Sequence, residues 1–135
     1  LEGTTITLRQ SEGQEEKEEE QVVPHLCWID ASKPFLLTRQ FDYVYSVQVG
    51  QTIPKESEHI FMDNLYFLLN ERGMLFMSWA YPGQGGHAHV NEQSKRYVIN
   101  EMESRGLQYD KERTEKMSNK MDNELSRNWI VLRKP

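Results

Sequence analysis

The chain is short of cysteine: Cys27 is the only one in 135 residues. No internal disulfide can form, and the pattern favours a reducing, cytoplasmic setting. Cys27 sits inside the apolar run Leu26–Ile29 and reads as an inert, buried thiol rather than a nucleophile. Long apolar runs are missing too. Nothing approaches the roughly 20 residues that a helix needs to cross a bilayer, and the mean hydropathy of -0.76 with 27% charged residues fits a protein with a polar surface rather than a membrane protein. Basic residues are outnumbered, 16 Lys and Arg against 21 Asp and Glu, for a net charge of -5. A nucleic-acid partner normally demands a clustered basic face, so none is expected, and a small or neutral ligand fits better. No Gly-Lys-Ser/Thr follows a glycine turn, and neither Ser46 nor Ser78 lies in a nucleophile elbow, which argues against P-loop and hydrolase chemistry. The chain starts at Leu1 with neither an initiator methionine nor a signal-peptide pattern, as a fragment or processed product would.

What is present is a regular alternation of strand and helix signals over a length suited to one domain, residues 1–135. Leu1–Leu8 carries a β-branched run suited to a short strand. Residues 11–21, SEGQEEKEEEQ, hold six glutamates and one lysine and read as an acidic, solvated loop or frayed helix. Leu26–Ile29 resembles a buried parallel strand ending at Asp30. Tyr43–Val49 is the strongest strand signal. A helix is expected over Ile53–Asn70, with Pro54 in its first turn, Glu56 and Glu58 at the positive end of its dipole, and Ile60, Phe61, Leu65, Leu68 and Leu69 on one face. Met74–Ala80 is the next strand. Asn91 caps a helix running to about Arg105 and ended by Gly106; Asp110 caps a charged segment over Lys111–Leu125; Trp129–Leu132 closes the chain as a strand. The implied fold class is α/β, a mostly parallel sheet flanked by helices.

Open α/β sheets place ligands at the carboxyl edges of their strands. That directs attention to Ser46–Thr52 and Trp79–Asn91. Gly83-Gln84-Gly85-Gly86 follows a strand and precedes a helix, but matches no dinucleotide or P-loop spacing and reads most simply as a turn. His87 and His89 would share one side of an extended segment. Zinc needs a third protein ligand, and Cys27, His25 and His59 have no signature spacing, so the two histidines are better read as positioning a ligand or supplying a general base. Tyr43 and Tyr45 read as core, while Trp79, at its strand end, is placed to wall a pocket.

With those residues laid out, Phe41–Pro54 and Leu75–Asn91 resemble the second half of a class I S-adenosylmethionine-dependent methyltransferase of the methyltransferase-like group. The family's fourth-strand pattern, F-D-x-V-x-S-L-E-V-x-E-H-I-P, is met by Phe41, Asp42, Val44, Ser46, Val47, Val49, Ile53 and Pro54. The resemblance implies an incomplete Rossmann-like fold with S-adenosylmethionine as cofactor. It places Glu2 at the cofactor ribose, Asp30 near the adenine, and Ser46 and Gln48 along the methionine end. Trp79, Gln84 and Asn91 fall on the side of the methyl acceptor, and His87 or His89 becomes the base, because the family's Glu-His pair is Gln51-Thr52 here and its earlier acid is Gln48. The acceptor, small molecule or protein, stays open. The family's first strand and glycine-rich cofactor loop have no counterpart in this sequence. Their loss implies weak or no cofactor binding and a truncated domain of weak or no activity alone. The other reading is a pseudoenzyme, an interaction module with a degenerate methyltransferase fold. The missing strand would lie beside Tyr43–Val49, so either Leu26–Ile29 fills its slot or that strand becomes an exposed edge that invites pairing with another chain.

Overall fold

The structure is a computed structural model that describes residues 4–8, 19–23, 28–35 and 39–135. Glu2, His25, Cys27 and most of the acidic run, residues 11–18, lie outside the described residues, as do Leu1, Gly3 and Leu26. Thr4–Leu8 (β1) and Glu19–Val23 (β2) pair antiparallel, Thr4 opposite Val23 and Leu8 opposite Glu19. The end of the acidic run is therefore a strand and not a loop or helix: ladder hydrogen bonds hold Glu19–Gln21 extended.

The main sheet consists of Phe41–Ser46 (β3), Leu69–Ser78 (β4), Gln108–Tyr109 (β5) and Trp129–Arg133 (β6), in the order β3-β4-β6-β5. Pairing is parallel between β3 and β4 and antiparallel between β4 and β6 and between β6 and β5. The α/β class and the helix-flanked, open, Rossmann-like sheet hold, and the described sheet is mixed rather than dominated by parallel pairs. The reason is the connection: β6 follows β5 through Lys111–Asn119 (α3) and the 3-10 turn Glu124–Arg127, and this excursion returns the chain in the opposite sense.

Glu58–Phe67 (α1) and Lys95–Ser104 (α2) cover one face. Alternation along the strands sends Val44, Leu75, Met77, Ile130 and Leu132 to that face, where they meet Phe61, Met62 and Leu65 of α1 and Val98, Ile99 and Met102 of α2. The other face of β6 is covered by α3. There the buried Thr114 donates its hydroxyl to Asp110 O (2.8 Å) and accepts from Val131 N (3.0 Å).

Several boundaries move. Pro54 precedes a 3-10 turn, Lys55–Ser57, and α1 begins only at Glu58 and ends at Phe67, so Leu69 is buried in β4 and not on the helix. The β3–β4 register shifts between Phe41 and Tyr43, and Arg72 (φ 65) turns the chain just before Gly73. Asn91 is not the cap of α2. Ser94 is, accepting from Tyr97 N. Asp110 caps α3 by accepting from Arg113 N, and Gly106 (φ 104) ends α2, both as the sequence implies.

Trp28 and Ile29 are corrected outright. They form no strand, and Trp28 is fully exposed. The slot beside β3 is thus not filled by Trp28 or Ile29, the part of the Leu26–Ile29 run that lies within the described residues, and β3 is an edge strand of the described sheet.

Candidate functional site

The carboxyl ends of β3 and β4 lie side by side, as parallel neighbours must, with Ser46 opposite Met77. Just beyond them Gln48 adopts φ 56, a left-handed conformation costly for a residue with a side chain. It is held there by its backbone N–H, which donates to the buried Ser78 Oγ at 2.7 Å. The two strand ends are tied by this bond, and the exposed Gln48 side chain projects at the sheet edge.

Beside β3 runs an open groove of about 370 Å³, lined chiefly by apolar side chains of β3, α1 and the segment Ile29–Phe35. Ser46 and Val49 contribute from the strand end, Ile29 and Ala31 from the far wall. Asn64 of α1 fixes that wall, donating to Ala31 O (3.1 Å) and Lys33 O (2.9 Å). Asp30 therefore stands next to residues that share a groove with Ser46. Its exposed carboxylate accepts from Ser32 N and Oγ, and these bonds hold its pKa below the ordinary value. Ser46 thus opens on the groove at the strand end, with the exposed Gln48 two residues further along the chain.

The loop after β4 is fastened by buried polar groups. Gln51 O accepts from Val90 N (2.9 Å) and Asn91 N (3.0 Å), and Gln51 Oε1 accepts from Ala80 N (3.3 Å). Trp79 is 2% exposed: its ring lies on Gly50 and edge-on to Phe61, and its Nε1 donates to Asn91 O at 2.8 Å. The expectation that Trp79 walls a pocket is not met, because its ring fills the interior. Asn91, also buried, donates to Glu58 Oε2 (2.6 Å), and Gln84 Oε1 accepts from Asn128 (2.9 Å). Both amides hold the loop in place.

Glu58 is the centre of this fastening and is 4% exposed. Besides Asn91 it accepts from Tyr97 OH, Lys55 Nζ (2.9 Å) and Gln93 Nε2 (3.4 Å). Burial pushes its carboxyl upward, but the bonds from Tyr97, Asn91 and Lys55 outweigh it and leave the pKa below the ordinary value. The same contacts, Tyr97 first and Glu58 second, raise Lys55. In sequence Glu58 reads only as a helix-dipole residue; its partners Asn91, Gln93 and Tyr97 lie more than 30 positions away, and no local pattern announces them.

His87 and His89 do not share one side of an extended strand. Ala88 has φ 59 and turns the chain between them, leaving His87 exposed and His89 partly buried. His89 Nδ1 lies 3.0 Å from Glu92 Oε2, and the same carboxylate accepts from Gly83 N (3.2 Å) and Gly85 N (2.8 Å). Glu92 was legible only as an acid three residues after a histidine. Among the described residues no group of three or more His, Cys, Asp or Glu side chains is placed to hold a metal ion.

A helix-flanked open sheet with parallel β3 and β4, an antiparallel β6 beside them, and a rim at the strand ends has the class I S-adenosylmethionine-dependent methyltransferase-like fold, over part of that fold. The N-methyltransferase NodS of Bradyrhizobium japonicum WM9, solved with S-adenosyl-L-homocysteine, matches with a TM-score of 0.55 at 14% identity over 79% of this chain and 52% of its own. The cyclase SpnF matches with 0.52 at 10% identity over 79% and 55%, and LepI, solved with S-adenosylmethionine, with 0.51 at 9% identity over 78% and 29%. The chain thus spans about half the length of NodS. No protein-family model and no curated protein matches the sequence. Since a methyltransferase and a cyclase share this architecture, the likeness defines the fold and leaves the reaction to the site.

Proposed function

We propose that the chain is part of an S-adenosylmethionine-dependent methyltransferase-like domain, with weak or no cofactor binding and weak or no activity alone. The observation that carries this reading is the apolar groove beside β3, an edge strand of the described sheet, lined by Ser46 at the strand's carboxyl end and by Ile29 and Ala31, the neighbours of Asp30, on the far wall. The groove suits a planar, weakly polar adenine. Among the described residues its lining offers no charged side chain for the zwitterionic methionyl end, so these residues fit the nucleoside half of the cofactor and not the other half. Glu2, as the ribose acid, would complete the nucleoside contacts.

When bound, the cofactor supplies a sulfonium methyl group, whose transfer to a nucleophile leaves a neutral thioether. The chain's own part is positioning and proton removal. Of the two histidines, His89 is the better base, because a carboxylate orients it, whereas His87 is exposed. Trp79, Gln84 and Asn91 act behind the acceptor by fixing the loop. The single cysteine supports a cytoplasmic setting; among the described residues no helix is long and apolar enough to cross a membrane.

Calorimetric titration of the chain with S-adenosylmethionine tests the reading. The expected result is no saturable heat at micromolar concentrations, and micromolar binding by the chain alone overturns the claim of weak binding.

A second reading, a non-catalytic interaction module, is favoured by the edge itself. Among the described residues β3 has a partner strand on one side only, and Tyr43 and Tyr45 are more than 60% exposed beside Phe76, on which Tyr45 stacks at 4.9 Å. An edge strand with uncovered aromatic side chains invites β-pairing with a second chain. Light scattering over a dilution series should then show a concentration-dependent oligomer. A strict monomer throughout argues against self-pairing.

A further inference from the structure

The Glu92 carboxylate is an acceptor only, and it faces three groups: Gly83 N–H, Gly85 N–H and His89 Nδ1. The contact with His89 is the foremost cause that holds its pKa below the ordinary value, so it is ionised at neutral pH. A neutral imidazole has one N–H and one lone-pair nitrogen, and the nitrogen facing an ionised carboxylate must be the donor. Nδ1 then carries the proton. Nε2, which has no hydrogen-bond partner among the described residues, is left as the basic atom.

The other side of the ring is shaped by a glycine. A Cβ at Gly86 would come 2.7 Å from Nε2 and 2.8 Å from Cε1, and Gly86 has φ 149, which a side chain would strain. The loop thus holds one edge of the imidazole by hydrogen bond and keeps the backbone at the opposite edge bare. Val90, next in sequence, is bonded to Gln51 O, so the ring stands at the carboxyl edge of β3 and β4.

We propose that Glu92 is a positioning residue that locks neutral His89 in its Nδ1–H form and leaves Nε2 as the proton acceptor, with Gly86 providing the space that the ring occupies. Nothing in the fold requires this arrangement: a Gly-rich turn closes without a histidine, and the two backbone donors would be satisfied by Glu92 alone. The inference rests on the reading of His89 as the base, but its test does not depend on cofactor or activity.

Long-range proton–nitrogen NMR spectra of the nitrogen-15-labelled chain, recorded on the alkaline side of the histidine titration, report which ring nitrogen is protonated. The expected wild-type result is a protonated Nδ1 and an unprotonated Nε2 at His89, with His87 serving as an exposed internal reference. Glu92→Ala should shift His89 toward the reference pattern, and Glu92→Gln, whose amide oxygen can still accept from Nδ1, should retain much of the wild-type pattern. A wild-type His89 protonated on Nε2 overturns the proposal even if neither variant folds. So does a folded Glu92→Ala protein with an unchanged ring. Micromolar S-adenosylmethionine binding with the expected tautomer in place would instead count against the proposed weak cofactor binding and leave the assignment of the ring proton standing.

Discussion

Glu58→Ala lowers the stability of the chain by about 3 kcal/mol, because each buried donor left without its acceptor costs roughly 1–3 kcal/mol. The donor that suffers most is Asn91 Nδ2, which belongs to a residue 5% exposed. Tyr97 OH loses its acceptor as well but is only half-buried, and Lys55, with 56% of its side chain exposed, rehydrates at little cost. The loss also unfastens the loop after β4, since Asn91 and Gln93 both bond to Glu58. Urea unfolding of both proteins checks the magnitude, and an effect under 1 kcal/mol would show that the network is dispensable. The pH dependence gives an independent sign. The folded-state pKa of Glu58 lies below its ordinary value of 4.5, so its stabilisation is present above that value and is lost as pH falls through the folded pKa. The stability gap between wild type and Glu58→Ala should narrow on acidification below about pH 4.5, and a gap that widens there contradicts the assignment.

Trp79→Ala is expected to cost about 3–5 kcal/mol, the range for deleting a large buried aromatic side chain. The ring is 2% exposed, meets Phe61 edge-on with centroids 5.9 Å apart, and donates to Asn91 O. Its fit depends on Gly50, where any Cβ would overlap the six-membered part of the indole. Gly50 lies in a 3-10 turn and is not needed there for its backbone freedom, so the requirement is one of space alone. Gly50→Ala in the wild type should therefore cost about 1–3 kcal/mol as overpacking. In the Trp79→Ala background the space is vacated, and the same change should be nearly neutral. A double-mutant cycle would then show a coupling of at least about 1 kcal/mol. Additive effects would mean that Gly50 is constrained by something other than the ring.

Much of this fold can be read from local patterns. Val44, Ser46 and the apolar Leu75 and Met77 mark two neighbouring strands, Gly106 ends a helix by its positive φ, and Asp110 caps the next one, because each signal acts within a few residues. The site is less legible. Ser94 and Asn91 are both good caps by composition, and what separates them is that Asn91 is drawn to Glu58 in a different helix. Trp28 and Ile29 read as core by their hydrophobicity, yet hydrophobicity sets a preference for burial without supplying the neighbour that would cover them. The histidine pair was visible as residues, and its geometry was not, because Ala88 takes a left-handed turn that its identity does not demand.

The sequence by itself determined the alternation of strands and helices and the acidic balance, 21 Asp and Glu against 16 Lys and Arg. Those properties are sums over residues or periodicities along them, so they are already fixed in the unfolded chain. Only the tertiary structure decided that β6 runs antiparallel to β4, that β3 is left as an edge of the described sheet, that Glu58 gathers four donors, and that Glu92 faces His89. Each of these depends on which groups share a small, water-poor volume once the chain has closed on itself, and a hydrogen bond between groups tens of residues apart leaves no periodic trace.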